Sequence, residues 1–299
     1  MQDARELRFG IITLQNRPWL EMVERCQSAE ALGFDSLWVG DHLQHPNAPI
    51  WYEAWTLLAG MAAVTTRIRI GVLVTSITYR NPVLLAKQAI TVDHISKGRL
   101  ELGIGAAGRP QDHIAAGVPE WGPVERVQRF REVVEIVDTY LRNEVTTYEG
   151  RYYKIQEAVR VVPPLQQPRP PLTLAAHGPA SLKIAAAYAD SWNSLGYTRA
   201  ELEAGRRLTA QEVFEATRKR SELLDEYAIA VGRDPREITR SFLGAGRETF
   251  ASKDAFHEFI GAYRGIGINE FIFDRDVLDC DMLERVATDW IPAVRSAGN

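Results

Sequence analysis

Residues 68–105 constrain the fold more than any other stretch of this chain. Two apolar runs rich in β-branched residues, Ile68 to Thr75 and Arg99 to Gly105, flank a single amphipathic helix. Asn81-Pro82 opens that helix, because proline fits a first turn, where its missing N–H costs nothing. Leu84, Leu85, Gln88, Ile90, Val92 and Ile95 recur at roughly helical spacing. Gly98 stands where a left-handed C-cap would end the helix. Runs without polar alternation suit strands buried on both faces, as in parallel sheets covered by helices. The stretch therefore reads as a β-α-β unit with a right-handed crossover. Two loops at C-terminal strand ends follow from it, Ser76 to Arg80 and Gly105 to Asp112, and α/β proteins place their chemistry in such loops.

The same alternation runs through the chain. Strands are expected at Leu7–Thr13, Phe34–Val39, within the opening unit, and at Leu172–Ala176, Asp190–Leu195, Ile238–Leu243 and Asn269–Phe273. Helices are expected after Pro18, over 52–64, from Val124 to Leu141, after Gly178-Pro179, over 211–230, from Lys253 to Tyr263 and from Met282 to Val294. Residues 106–123 read as irregular. Eight strands, each followed by a helix, in a chain slightly above the ~250 residues typical of the fold, predict a closed α/β (β/α)8 TIM barrel. An open doubly wound sheet would leave two long apolar edge strands to protect. The barrel is read as one domain over 1–299 with two insertions. One, at 145–171 after the fourth helix, is a hairpin turning at Glu149-Gly150 followed by a proline-rich run. The other, after the sixth strand, is a polar loop or lid at 196–210.

Bulk properties narrow the partners. A formal charge of −4 over 299 residues gives no polybasic footprint, which argues against nucleic acid or an anionic membrane. No apolar run approaches the ~18 residues of a membrane span, and the first residues carry charges where a secretory leader needs an apolar stretch. Cys26 and Cys280 form no metal-ligand or redox spacing. A soluble, cytoplasmic protein with reduced thiols that acts on a small molecule is the expectation.

Three places carry candidate chemistry. Asp41-His42 ends the second strand, and an adjacent acid and imidazole suit proton transfer near neutral pH. A capped loop with a solvated pair is the plain alternative. His45 adds an HxxH spacing, yet no third ligand stands at a recognisable distance, so no metal is assigned. Gly103 to Gly108 matches GxGxxG after a strand. Pro110 and Asp112 follow where a dinucleotide-binding helix should already be running, and Glu125 opens a helix where a strand should end. A tight loop that lets backbone approach a flat ligand fits better, although glycines can simply permit a turn. Ala175-Ala176-His177-Gly178-Pro179 ends the fifth strand and opens a helix, whose free N–H groups form an anion site unless the turn is an ordinary one.

Four stretches, AEALGFDSLWVGDH (29–42), 81–108, the excursion 145–171 and 170–193, occur in the order found in the luciferase-like monooxygenase superfamily, which this chain resembles over nearly its whole length. The resemblance implies a (β/α)8 barrel that binds coenzyme F420 or FMN at its mouth. The ring would be bedded on Thr75, Ser76 and Ile77. The phosphate tail would lie over Gly105, Ala106 and Ala107 and over Ala175 to Pro179. In the F420-using branch the second strand ends in Asp-His, with the acid at the deazaflavin and the histidine facing substrate, which favours F420 over FMN here. That branch also carries a non-proline cis peptide in the third strand, placed by position at Ser76–Ile77. The implied activity is hydride transfer between C5 of F420 and a small organic substrate, with His42 as general acid or base and Asp41 setting polarity at the ring edge. A homodimer is implied as well. The chain departs from the sugar-phosphate dehydrogenase pattern, because the acid expected directly after Gly105 is missing and Pro46 stands where a tryptophan would be. That puts glucose 6-phosphate, and simple alcohols, in doubt as substrates. Other readings are an FMN-dependent monooxygenase fed by a flavin reductase, a metal-dependent barrel hydrolase using Asp41, His42 and His45, and a non-catalytic flavin carrier.

Overall fold

Apolar runs that cannot face water on either side pair here as parallel strands and close on themselves. The structure, a computed structural model, describes residues 6–45, 48–106, 109–196 and 208–297. In chain order the strands are β1 (Arg8–Ile12), β2 (Ser36–Val39), β3 (Arg69–Val72), β4 (Thr75–Ser76), β5 (Leu100–Gly105), β6 (Val145–Glu149), β7 (Lys154–Val159), β8 (Leu172–Ala175), β9 (Ser191–Ser194), β10 (Thr239–Leu243) and β11 (Glu270–Asp274). The main sheet runs β3-β2-β1-β11-β10-β9-β8-β5-β4, and a further β3–β5 pairing closes the ring. β3 and β4 are one stave interrupted at residues 73–74, so the barrel has eight parallel staves, as the strand count predicts.

Alternation along the staves divides them into an outer and an inner set. Phe9, Leu37, Ile70, Leu102, Leu174, Trp192, Phe242 and Phe271 join the large cluster shared with the helices. The inner set is smaller and more polar than the sequence suggested. Near the N-terminal end of the barrel, Arg8 and Arg69 both donate to Glu101 at 2.5 Å, and Ser36 Oγ donates to Glu270 at 3.0 Å. Above that layer the Trp38 ring lies where a Cβ on Gly71 would stand, and the Ser36 hydroxyl where one on Gly10 would. Ile12, Trp38, Leu73 and Ile272 then form an apolar plug below the mouth.

The interruption in β3/β4 has a partner in β5. A Cβ on Gly103 would collide with the Val72 carbonyl oxygen, and one on Gly105 with the Val74 side chain. The first two glycines of the GxGxxG match thus make room for a bulge in the neighbouring stave. The non-proline cis peptide lies within that bulge, at Leu73–Val74, and not at Ser76–Ile77 as expected. The expected position falls beyond β4, which has already resumed pairing with Ile104 and Gly105.

Helix Pro82–Ile95 starts as expected, with Asn81 Oδ1 accepting from the amide of Val83 at 2.9 Å. Its buried face is Leu85, Ala86, Ala89, Ile90, Val92 and Asp93, whereas Leu84 and Ile95 are 52% and 40% exposed. Ala86 and Ala89 complete that face beside the larger Leu85, Ile90 and Val92. Asp93 is buried because its carboxylate accepts the amides of Leu165 and Gln166, at 2.7 and 3.0 Å, from the proline-rich run. That run follows the β6–β7 hairpin, which is antiparallel as expected. Arg169 locks it to the barrel by pairing with Asp138 and Asp190.

Two further differences concern loops. Residues 106–123 contain a helix, Pro110–Ala116, ended by Gly117 at φ 65°. Seven residues between a proline and a glycine are too few for periodicity to reveal. Of the expected lid at 196–210, residues 197–207 lie outside the described residues; Thr209 already caps the next helix, Ala210–Ala230, through a reciprocal pair with Glu212.

Candidate active site at the barrel mouth

The bulge carries the third stave to Ser76, whose amide donates to Asp41 Oδ2 at 2.9 Å. Asp41 follows β2 by two residues, so the chain brings the ends of two neighbouring staves together on one carboxylate. Arg80, from the loop after β4, clamps the same carboxylate with both terminal nitrogens, one of them 3.0 Å from Oδ1, and also reaches Glu53. Tyr79 Oη donates to the Asp41 carbonyl at 2.5 Å. Asp41 is 4% exposed, and burial raises its pKa above the ordinary carboxylate range, against the lowering by Arg80 and the Ser76 amide.

His42 faces the other way. Its Nδ1 lies 2.8 Å from Asp112 Oδ2, and the amide of Leu43 donates to Asp112 Oδ1 at 3.0 Å. Trp51 Nε1 holds the His42 carbonyl at 2.7 Å. The His42 side chain keeps 38% of its surface exposed while Asp112 is buried. His45 stacks on Trp51 with ring centroids 5.0 Å apart, and among the described residues no three His, Cys, Asp or Glu side chains gather around a point that could hold a metal.

The remaining expected residues are placed as follows. Thr75 is buried and its Oγ1 accepts from Trp55 Nε1 at 3.2 Å. Ser76 presents its amide to Asp41, as above. The Ile77 side chain joins the core between barrel and helices, so only its backbone can serve a ligand at the mouth. Gly105 pairs with Ser76 and Ala175, and Ala106 is half-buried beside it. Ala107 lies outside the described residues. Ala176 packs into the core, and its carbonyl accepts from Trp192 Nε1 at 2.8 Å. His177 Nε2 accepts the Leu195 amide at 3.2 Å, and burial, reinforced by Arg220, pushes its pKa down to about 4, so the ring is neutral at physiological pH. Gly178 and Pro179 open helix Pro179–Tyr188, whose first turn has no side-chain cap on its amides.

A flat heterocycle with an anionic tail fits this donor set. Small residues, Gly105, Ala106 and Ala175, line one side of the mouth. The uncapped amides of residues 180 and 181 offer partial positive charge to an anion. Gln15 Oε1 is buried without a partner, because Gln15 Nε2 is engaged by the carbonyls of Gly40 and Tyr52 at 2.7 and 3.2 Å. That fixes the amide's orientation and leaves a buried acceptor ready for a ligand N–H or O–H.

Sequence reasoning did not find Gln15, Arg80 or Asp112 as site residues. Arg80 and Asp112 stood inside the two loops marked as carrying chemistry, and that was the available signal. Gln15 had none, because its loop after β1 holds no recognisable motif.

Among solved structures, the F420-dependent tetrahydromethanopterin reductase from Methanopyrus kandleri superposes with a TM-score of 0.78 at 20% identity, covering 97% of this chain and 100% of that one. An F420-dependent secondary alcohol dehydrogenase also gives 0.78 at 20% identity, covering 97% of this chain and 99% of that one. These likenesses establish the barrel. A phthiodiolone/phenolphthiodiolone dimycocerosates ketoreductase of Mycobacterium tuberculosis is 31% identical over 259 residues, covering 78% of this chain and 63% of that protein. The chain thus spans less than two thirds of the length of the first curated relatives it matches. An F420-dependent glucose-6-phosphate dehydrogenase of Amycolatopsis mediterranei is 31% identical over 225 residues, covering 72% of this chain and 66% of that one. Residues 7–264 match the profile of the luciferase-like monooxygenases, and the chain belongs to that family.

Proposed function

We propose that this protein is an F420-dependent oxidoreductase, a dehydrogenase or reductase of a small organic substrate. The observation that supports it most is the Asp41–His42 pair at the mouth: one side chain buried against the Ser76 amide, the other turned outward on Asp112. Relatives named as F420-dependent enzymes agree with that reading. Bound F420 supplies a two-electron hydride carrier with little reactivity towards oxygen.

The protein's own groups would do the rest. The backbone of Thr75 to Ile77 forms a bed whose position Asp41 and Arg80 fix. Gly105 and Ala106, with Ala175 to Pro179, would hold the phosphate tail through small residues and uncapped helix amides, while neutral His177 supplies no countercharge. Asp41 would place a buried polar group beside the ring edge, and Gln15 Oε1, a buried acceptor, would take a hydrogen bond from ring or substrate. His42 holds or moves the proton that accompanies each hydride. The absence of an acid directly after Gly105 separates the mouth from the sugar-phosphate dehydrogenase pattern, so glucose 6-phosphate is not the proposed substrate. We place the enzyme in the cytoplasm as a homodimer; a solution mass of one chain would remove the dimer.

Fluorescence titration with F420 tests the proposal. Saturable quenching in the micromolar range is the expected result. No quenching, with FMN binding in its place and oxygen uptake in the presence of a flavin reductase, would replace it by an FMN-dependent monooxygenase.

A further inference from the structure

We propose that Asp112 is a positioning residue: through Nδ1 of His42 it fixes the imidazole so that Nε2 is the proton-handling atom at the mouth. The chemistry rests on the oxidoreductase reading, whereas the geometry does not depend on it. Asp112 is 4% exposed, and both of its oxygens are engaged. Oδ1 accepts the Leu43 amide at 3.0 Å, and Oδ2 lies 2.8 Å from His42 Nδ1. An amide can only donate, so the Leu43 contact anchors an acceptor oxygen there. An ionised carboxylate has no proton to give, so Nδ1 carries the hydrogen and the lone pair of the neutral ring lies on Nε2. Among the described residues Nε2 has no partner.

The carboxylate is held as firmly as the ring. Asp112 sits in the short helix Pro110–Ala116. The next residue, His113, is buried and anchors that helix: its Nδ1 meets the Pro119 carbonyl at 3.0 Å and its ring meets Trp121 edge-on at 5.0 Å. On the other side Trp51 Nε1 fixes the His42 carbonyl. The imidazole is thus held at its backbone and at Nδ1.

The proton balance follows from this geometry. In the oxidative direction a substrate hydroxyl gives its proton to Nε2 while its carbon gives a hydride to the cofactor, and the C–O bond becomes C=O. In the reductive direction the imidazolium returns the Nε2 proton to the carbonyl oxygen as the carbon receives the hydride. The Nδ1 proton stays on Nδ1 in both.

Asp112→Asn separates positioning from mere packing. Asparagine has one acceptor oxygen, which the Leu43 amide retains, so its NH2 group faces Nδ1. The ring proton then moves to Nε2 and the lone pair leaves the mouth. 15N-histidine NMR of the protein alone reads this directly, without substrate or cofactor. With the ring neutral, the wild type is expected as the Nδ1–H tautomer, Asp112→Asn as Nε2–H, and Asp112→Glu, which keeps a carboxylate, as Nδ1–H again. Diethyl pyrocarbonate followed by peptide mass spectrometry gives a second readout, with carbethoxylation of His42 slowed by about tenfold or more in Asp112→Asn. F420 affinity should stay within about twofold, since no cofactor contact changes. A wild-type Nε2–H tautomer, or one that Asp112→Asn leaves unchanged, would overturn the proposal. A tautomer switch in a protein that fails to bind F420 would sustain the positioning role and overturn the F420 reading instead.

Discussion

Replacing Arg80 by methionine measures how much the clamp on Asp41 contributes. Methionine keeps an apolar stem of similar length but removes both guanidinium contacts, leaving the buried carboxylate with the Ser76 amide alone. Breaking one side of a buried ion pair costs about 3–5 kcal/mol, because the remaining charge stays desolvated. Proton uptake limits that cost, since burial has already raised the Asp41 pKa. Glu53 also loses Arg80, but it is half-solvated and still caps its helix through the amides of Trp55 and Thr56, so it adds little. A loss of about 3 kcal/mol at neutral pH is the working figure, equivalent to a Tm lower by roughly 6–10 °C for a chain of this size. The pH dependence has a definite sign. A carboxyl whose folded pKa is raised contributes stability below its unfolded pKa and loses it as pH rises through the folded value. Without Arg80 the folded value rises further, so the deficit should be largest near pH 8 and shrink towards pH 5. Calorimetric or circular-dichroism melts of both proteins across that range are the assay. A Tm drop below about 2 °C, or one equal at both ends of the range, would refute the account of Arg80 as the counterion that makes a buried Asp41 tolerable.

Further outcomes follow from other parts of the barrel. Gly103→Ala should cost at least about 2 kcal/mol, because its Cβ meets backbone at Val72. Gly105→Ala meets only the Val74 side chain and should be largely rescued by Val74→Ala, as a double-mutant cycle in urea would show. Burial, with a further rise from Glu101, pushes the Glu270 pKa up from 4.5 to about 7, against the pull of Arg8. Glu270 therefore stabilises the fold below its unfolded pKa and loses that contribution as pH rises through 7, by roughly 3 kcal/mol. Glu270→Gln should flatten this alkaline decline in urea-unfolding stability between about pH 5 and pH 8, and an unchanged slope would assign it elsewhere. Trp55→Phe leaves the buried Thr75 hydroxyl without its donor and should cost about 1 kcal/mol by the same measurement. It should also weaken F420 binding.

Much of the architecture was legible because it depends on local pattern. Strand and helix periods alternate from Leu7 to the last helix, and eight such units admit few arrangements. The prolines of 163–171 excluded a central strand there, and the hairpin before them appeared where expected. Within helix 82–95 Leu85, Ile90 and Val92 are buried as their spacing implies, whereas Leu84 and Ile95 are exposed and the small Ala86 and Ala89 complete the buried face. The cis peptide was misplaced by three residues, because its position depends on which β3 residues face Gly103 and Gly105, and that is a matter of register between strands.

The Asp41-His42 pair could be read as chemistry from two adjacent letters. Its partners could not, since Arg80 lies 39 residues and Asp112 70 residues away in sequence. The inner ionic layer was equally hidden: Arg8, Glu101 and Glu270 sit in separate staves and meet only when the barrel closes. The sequence by itself determined the barrel, its excursion, its family and the acid–histidine pair at its mouth, because each is written in short-range spacing. The tertiary structure alone decided which groups hold that pair, which glycines receive the bulge and which charges share the core, because those choices are made by side chains converging from strands distant in the chain.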